Sequence, residues 1–144
     1  MEIQITWQHP TKKMDPGKIK IKLKRILKDL GCHDVELSIL ITDDKHIAVL
    51  NDRFLNRKGP TNVLAFPIRE DDPNVPETAM LGDIVISLDA AMRDAKKAEE
   101  SLSKIVDRLL IHGLLHILGY NHANSEEAWR MEEETQRLLN VAKI

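Results

Sequence analysis

A single α/β domain is predicted by three observations. Short β-branched or alternating segments take turns with segments of helical periodicity, a capping residue stands before each helical segment, and no linker-like stretch divides the chain. The order strand, helix, strand, helix suits helices packed on a sheet, and the count is about four strands and five helices. At 144 residues, 42% of them hydrophobic, the chain is of one-domain size and has enough apolar surface for a core.

Glu2-Ile3-Gln4-Ile5-Thr6-Trp7 alternates polar and apolar residues and reads as a strand. Asp15-Pro16 opens a helix as cap and first-turn proline, and Gly31 closes it. With about 100° between successive residues, Ile19, Leu23, Ile26, Leu27 and Leu30 share one arc of this helix, and Lys18, Lys20, Lys22, Lys24, Arg25 and Lys28 fill the other. Val35 to Thr42 is a second strand, apolar enough for the centre of a sheet. Thr42-Asp43 caps a helix through about Phe54, with Ile47, Leu50 and Phe54 at core spacing. The polar turn Asn56-Arg57-Lys58-Gly59-Pro60 feeds a short strand from Asn62 to Pro67. Arg69 to Met80 lacks periodicity, holds Pro73 and Pro76, and reads as a surface loop. Leu81 to Ser87 is the next strand, and Ser87 to Asp89 caps a helix through about Glu100. Ser101 or Ser103 begins another, in which Leu102, Ile105, Val106, Leu109 and Leu110 recur at three- and four-residue intervals. A last helix from Asn124-Ser125 packs Trp129, Leu138 and Leu139 inward and turns Glu126, Glu127, Glu132, Glu133 and Glu134 to water.

The chemistry is concentrated where the fourth helix ends. His112 and His116 are four residues apart, so both project from one helix face about 6 Å apart along the axis. Gly119 stops the helix by accepting a left-handed conformation, and the turn brings His122 back. A lone histidine on such a helix is more often a satisfied core residue, but three at this spacing favour a metal. Three imidazoles and one water form the ligand set of an open zinc site, whereas a structural zinc is usually held by four protein ligands rich in cysteine. The one cysteine, Cys32, cannot build that cage, and by itself it excludes an internal disulfide. The H-x3-H-x2-G-x2-H spacing is shared with metzincin proteases, but Gly113 stands where they carry the glutamate base, which makes a peptidase a weak reading.

A net charge of −2 argues, taken whole, against a nucleic-acid binder. Its distribution is uneven: eight basic residues and Asp15 between Lys12 and Lys28 give a local charge of +7. The basic helical face is either plainly solvated or a contact for a phosphate backbone. The first residues lack a basic-then-apolar leader and no apolar run approaches a membrane span, which predicts a soluble, cytoplasmic protein.

Three blocks, H-G-L-L-H-I-L-G-Y-N-H (112–122), P-T-N-V-L-A-F-P (60–67) and L-G-D-I-V-I-S (81–87), stand in the order and at the separations found in the YbeY endoribonucleases, and the chain resembles that family. It departs from the pattern at Asn121, where the family usually has Asp, and at Leu55, where arginine commonly follows an aromatic; Arg57 is then the residue to take that arginine's part. The resemblance implies a mixed sheet with helices on its faces, and a single-strand-specific, zinc-dependent endoribonuclease acting in ribosomal RNA maturation, at the 16S rRNA 3′ end, and in ribosome quality control. It implies one zinc per chain at His112, His116 and His122, RNA and the ribosome or its small subunit as partners, and no role for DNA. It places Arg57, Lys58, Thr61 and Asn62 along the cleft opposite the metal, with Arg57 and Lys58 binding RNA and offsetting the charge of a phosphoryl transition state. The general base stays open between the metal's own water and a carboxylate such as Asp83 or Glu126. Two other classes remain: a metal hydrolase of a non-RNA bond, and a zinc-containing ribosome-assembly factor without turnover.

Overall fold

The computed structural model describes residues 1–11, 14–68 and 80–143. Their elements follow in the order β1 (Glu2–Trp7), α1 (Pro16–Asp29), β2 (Glu36–Thr42), α2 (Asp44–Leu55), β3 (Val63–Pro67), β4 (Met80–Ser87), α3 (Leu88–Ala98), α4 (Leu102–Ile117) and α5 (Ser125–Ala142). The expected four strands and five helices are all present. Each helix starts on a residue whose side chain accepts a first-turn backbone N–H: Asp15, Asp43, Ser87, Ser101 and Asn124.

The sheet runs β1-β2-β4-β3. β1, β2 and β4 are parallel, and β3 returns antiparallel to β4, pairing Val63 with Ile86 and Pro67 with Gly82. The sheet is therefore mixed. One face carries the main core, where Ile3, Leu37, Ile39, Ile84 and Ile86 meet Leu23 and Leu27 of α1, Ala91 of α3, Leu110 and Leu114 of α4, and Leu138 of α5. Among the described residues only α2 covers the other face, through a small cluster of Ile47, Leu64 and Val85.

That asymmetry corrects two expectations. Phe54 is 61% exposed, because the last turn of α2 overhangs the sheet and the ring rests edge-on against Phe66, with centroids 5.6 Å apart. Trp129 is also 61% exposed: the buried residues of α5 are Met131, Thr135, Leu138 and Ala142, an arc that excludes position 129. Met80 already belongs to β4 and not to the preceding loop. The rest of that loop, residues 69–79, and Lys12 and Lys13 of the basic stretch lie outside the described residues.

A polar network ties together the ends of the parallel strands. His9, just past β1, meets Asp89 Oδ1 through Nε2 at 2.8 Å, and Asp89 Oδ2 accepts the backbone N–H of Asp44 at 3.0 Å. Asp44 in turn accepts from Ser87 Oγ at 2.8 Å and from both Arg93 terminal nitrogens at 2.6 and 3.1 Å. The Arg93 hydrogen bonds hold the Asp44 carboxyl below the usual range, and the His9 bond does the same for Asp89.

Two predictions follow from this packing. Gly82 has φ +153°, and a Cβ there would meet the Phe66 carbonyl oxygen at 2.3 Å. Gly82→Ala should therefore lower stability by about 3 kcal/mol, seen as a lower denaturant midpoint at unchanged m; an unmoved midpoint would contradict the strand register. A carboxyl with a depressed folded pKa contributes stability that is present above its unfolded pKa and lost as pH falls through the folded value. Melting temperature should thus decline below about pH 4, and Asp89→Asn, less stable at neutral pH, should lose part of that decline. Equal acid slopes in the two proteins would remove the network from acid stability.

Candidate functional site

Helix α4 carries the histidines because one side of it is spoken for by the sheet. Ile105, Val106, Leu109, Leu110, Ile111, Leu114 and Leu115 are buried, and Gly113 lies so close to β4 that a Cβ would meet Ile84 Cγ2 at 3.0 Å. Position 113 thus faces the core, so in this fold a base could not be presented from it. His112 and His116 occupy the half-buried flank.

The helix then ends in a Schellman turn: Tyr120 N–H bonds Leu115 O at 2.9 Å and Gly119 N–H bonds His116 O at 3.1 Å, with Gly119 at φ +102°. This reversal sets exposed His122 beside the other two rings. Asn121 Oδ1 accepts the Ala123 N–H at 3.2 Å and shapes the turn that carries His122.

The three rings stand together, with centroids 4.5 Å (His112–His116), 5.2 Å (His116–His122) and 5.8 Å (His112–His122) apart. His116 Nδ1 donates to Tyr120 O at 3.1 Å, which leaves its Nε2 lone pair directed at His112 Nε2, 3.0 Å away. Burial first, and the neighbouring histidines after it, push the His112 pKa down; burial also lowers that of His116, against the raising effect of the Tyr120 carbonyl. Within the pair His112 Nε2 donates to the His116 lone pair; with its proton on Nδ1 instead, both Nε2 atoms can ligate a cation between them. Among the described residues no three donor side chains are already closed around one point. His112 and His116 form the converged pair, with the exposed His122 ring beside both.

The remaining sequence-predicted residues divide. Arg57 and Lys58 are exposed on a loop rooted at buried Asn51, whose Nδ2 donates to Gly59 O at 3.0 Å and whose carbonyl accepts the Arg57 N–H at 3.3 Å. Thr61 and Asn62 are half-buried, and Asn62 Nδ2 approaches Asp94 at 3.4 Å. Asp83 lies on the α2 side of the sheet, in a groove with Ser38, Leu40 and Phe66, since the sheet pleat puts it opposite Ile84, which faces α4. Glu126 is solvent-exposed and paired with Arg130 at 2.7 Å. On the basic helix, Lys22 is tied to Asp107 at 2.8 Å and Ser103 at 3.2 Å, while Lys18, Lys20, Lys24 and Lys28 remain exposed.

Glu127 corrects the reading that it faces water. It is half-buried, its Oε2 is enclosed without a hydrogen-bond partner among the described residues, and it lines a recess of about 260 Å³ with Tyr120, Asn121 and Arg130. Arg108, one turn before His112, was also passed over. Sequence offers one signal for it, the four-residue step shared with His112 and His116.

Comparison with known proteins identifies the family. The family model described as Endoribonuclease YbeY matches residues 4–143. The chain is 41% identical over 141 residues to the Endoribonuclease YbeY of Syntrophus aciditrophicus, covering 96% of this chain and 88% of that one. It is 40% identical over 133 residues to the Endoribonuclease YbeY of Aquifex aeolicus, covering 84% and 87%. Among solved structures, that of TM1509 from Thermotoga maritima superposes with a TM-score of 0.70 at 25% identity, covering 97% of this chain and 88% of that one. With the match spanning the sheet, the capped helices and the histidine turn, this chain belongs to the Endoribonuclease YbeY family.

Proposed function

We propose that the chain is a zinc-dependent endoribonuclease specific for single-stranded RNA, acting on ribosomal RNA during its maturation, at the 16S rRNA 3′ end, and in ribosome quality control in the cytoplasm. The observation that carries the metal reading is the pair of His112 and His116 nitrogens 3.0 Å apart, with the His122 ring beside both. His112, His116 and His122 would hold one zinc. When bound, such an ion polarises a phosphoryl oxygen and lowers the pKa of a water, which suits phosphodiester hydrolysis.

The chain's own residues supply the rest. The Tyr120 carbonyl orients His116 and keeps its Nε2 free of a proton. Glu127 Oε2, enclosed beside the Tyr120–Asn121 turn and without a partner among the described residues, is the carboxylate we assign as the general base. Arg57 and Lys58, exposed on their tethered loop, neutralise RNA phosphates and the ribosomal RNA brings the small subunit as partner. No described helix is long and apolar enough to cross a membrane.

The test is His116→Ala, assayed for zinc content, circular dichroism and cleavage of a single-stranded RNA in one preparation. The expected result is a folded protein without stoichiometric zinc and without cleavage. Full cleavage by the metal-free variant would overturn the enzymatic role of the histidines, and a folded, zinc-replete wild type that cuts no RNA would favour an assembly factor. Glu127→Gln removes the proton acceptor at nearly constant shape, and kcat should fall about a hundredfold with zinc retained; an unchanged kcat would assign the base elsewhere.

A further inference from the structure

Arg108 lies one helical turn before His112 and two before His116, so the three side chains share one flank of α4. Its guanidinium is poorly satisfied. Among the described residues Nε is enclosed and finds no acceptor, and the one ion pair of the side chain is long, 3.5 Å from Nη1 to Glu100 Oε2. Glu100 is shared, since Lys104 Nζ approaches its other oxygen at 3.5 Å. Arg108 lines a recess of about 470 Å³ with Asn62, Asp94 and Lys97, floored by Ile105 and Leu109. Asn62 brings an amide whose bond to Asp94 is stretched to 3.4 Å, and Lys97 an exposed ammonium.

A buried N–H without an acceptor costs free energy, and a planar fork of donors is the group best matched to a tetrahedral oxyanion. The recess offers that fork, a second cation and an amide, and the fork springs from one helical turn before His112. One turn, about 6 Å along the axis, is a step on the scale of neighbouring phosphates on an extended strand. Asp94 and Glu100 oppose a free anion there, so affinity comes from a polyanion whose neighbouring phosphate is already held. We propose that the Arg108–Lys97–Asn62 recess is a phosphate subsite that grips the RNA phosphate next to the one being cleaved, a role that rests on the endoribonuclease reading. On binding, Arg108 exchanges its long contact to Glu100 for the phosphate oxygens, and the strand is drawn along α4 past His112.

The experiment measures binding of a fluorescent single-stranded oligoribonucleotide to metal-free protein by anisotropy across a salt series, for wild type, Arg108→Gln, Arg108→Lys and Lys97→Gln. Arg108→Gln should bind about tenfold more weakly, with its salt slope reduced by about one. Arg108→Lys should keep the slope but recover only part of the affinity, because an ammonium lacks the fork. In the zinc-loaded protein the Arg108→Gln loss should be greater in KM than in kcat. Circular dichroism checks folding; if Arg108→Gln unfolds, exposed Lys97→Gln carries the test and should lower the slope alone. Wild-type affinity and slope in a folded variant would overturn the subsite whatever the cleavage result. Arg108-dependent binding in a protein that cuts no RNA with zinc would instead overturn the nuclease reading and leave the subsite standing.

Discussion

The approach of α4 to β4 at Gly113 is set by a missing side chain: a Cβ there would meet Ile84 at 3.0 Å, so helix and strand lie at a separation only glycine permits without a shift. From that contact the orientation of the helix follows. Leu110, Leu114 and Leu115 are driven into the core, and the residues at the four-residue step, Arg108, His112 and His116, are left along one half-buried flank. The turn after the helix is anchored the same way, by backbone bonds from Gly119 and Tyr120 to carbonyls already fixed in α4. The placement of the histidines in this fold depends on a core packing contact one residue from the first of them.

The sheet divides the molecule into a structural side and a sparsely covered one. Four helices share a core on one face, while among the described residues α2 alone guards the other and leaves Phe54 and Phe66 over a groove of about 560 Å³. Asp83 opens into that groove, away from the face on which α4 packs, although it sits beside Gly82 in sequence. Strand periodicity is the cause, since neighbouring residues must point to opposite faces. The network of His9, Asp44, Ser87, Asp89 and Arg93 gathers residues flanking all three parallel strands, so its carboxylates are spent on joining elements.

Electrostatics is local throughout. The net charge of −2 conceals a basic α1 and an acidic α5, and α5 sets Glu127 beside the turn that carries His122. Burial first, and repulsion from neighbouring histidines after it, lower the pKa of His112 and His116 and so favour the neutral form in which an imidazole can ligate a cation. Part of the basic helix is already used: Lys22 is committed to Asp107 and Ser103, and Arg25 to the Lys143 carbonyl at 2.7 Å. Exposed lysines on α1 remain, but the cation in register with the histidines is Arg108.

Local physics was legible in the sequence alone. Caps at Asp15, Asp43, Ser87, Ser101 and Asn124 and the stop at Gly119 depend on residues within a turn of one another, so helix starts and the histidine turn could be read directly. The ends of α2 and α3 were less sharp, because Asn56 and Glu99 take the left-handed position at φ 55° where glycine would have marked it. Spacing brought His112, His116 and His122 together for the same reason. What required the tertiary structure was every question of which face meets what. Phe54 and Trp129 have core chemistry but no partner layer among the described residues, Glu127 looks solvated until the His122 turn folds over it, and Arg108 reads as an ordinary helical charge until α3 and Asn62, just before β3, wall it in. Burial is a property of the assembled layers, and a helix or strand taken alone cannot report it.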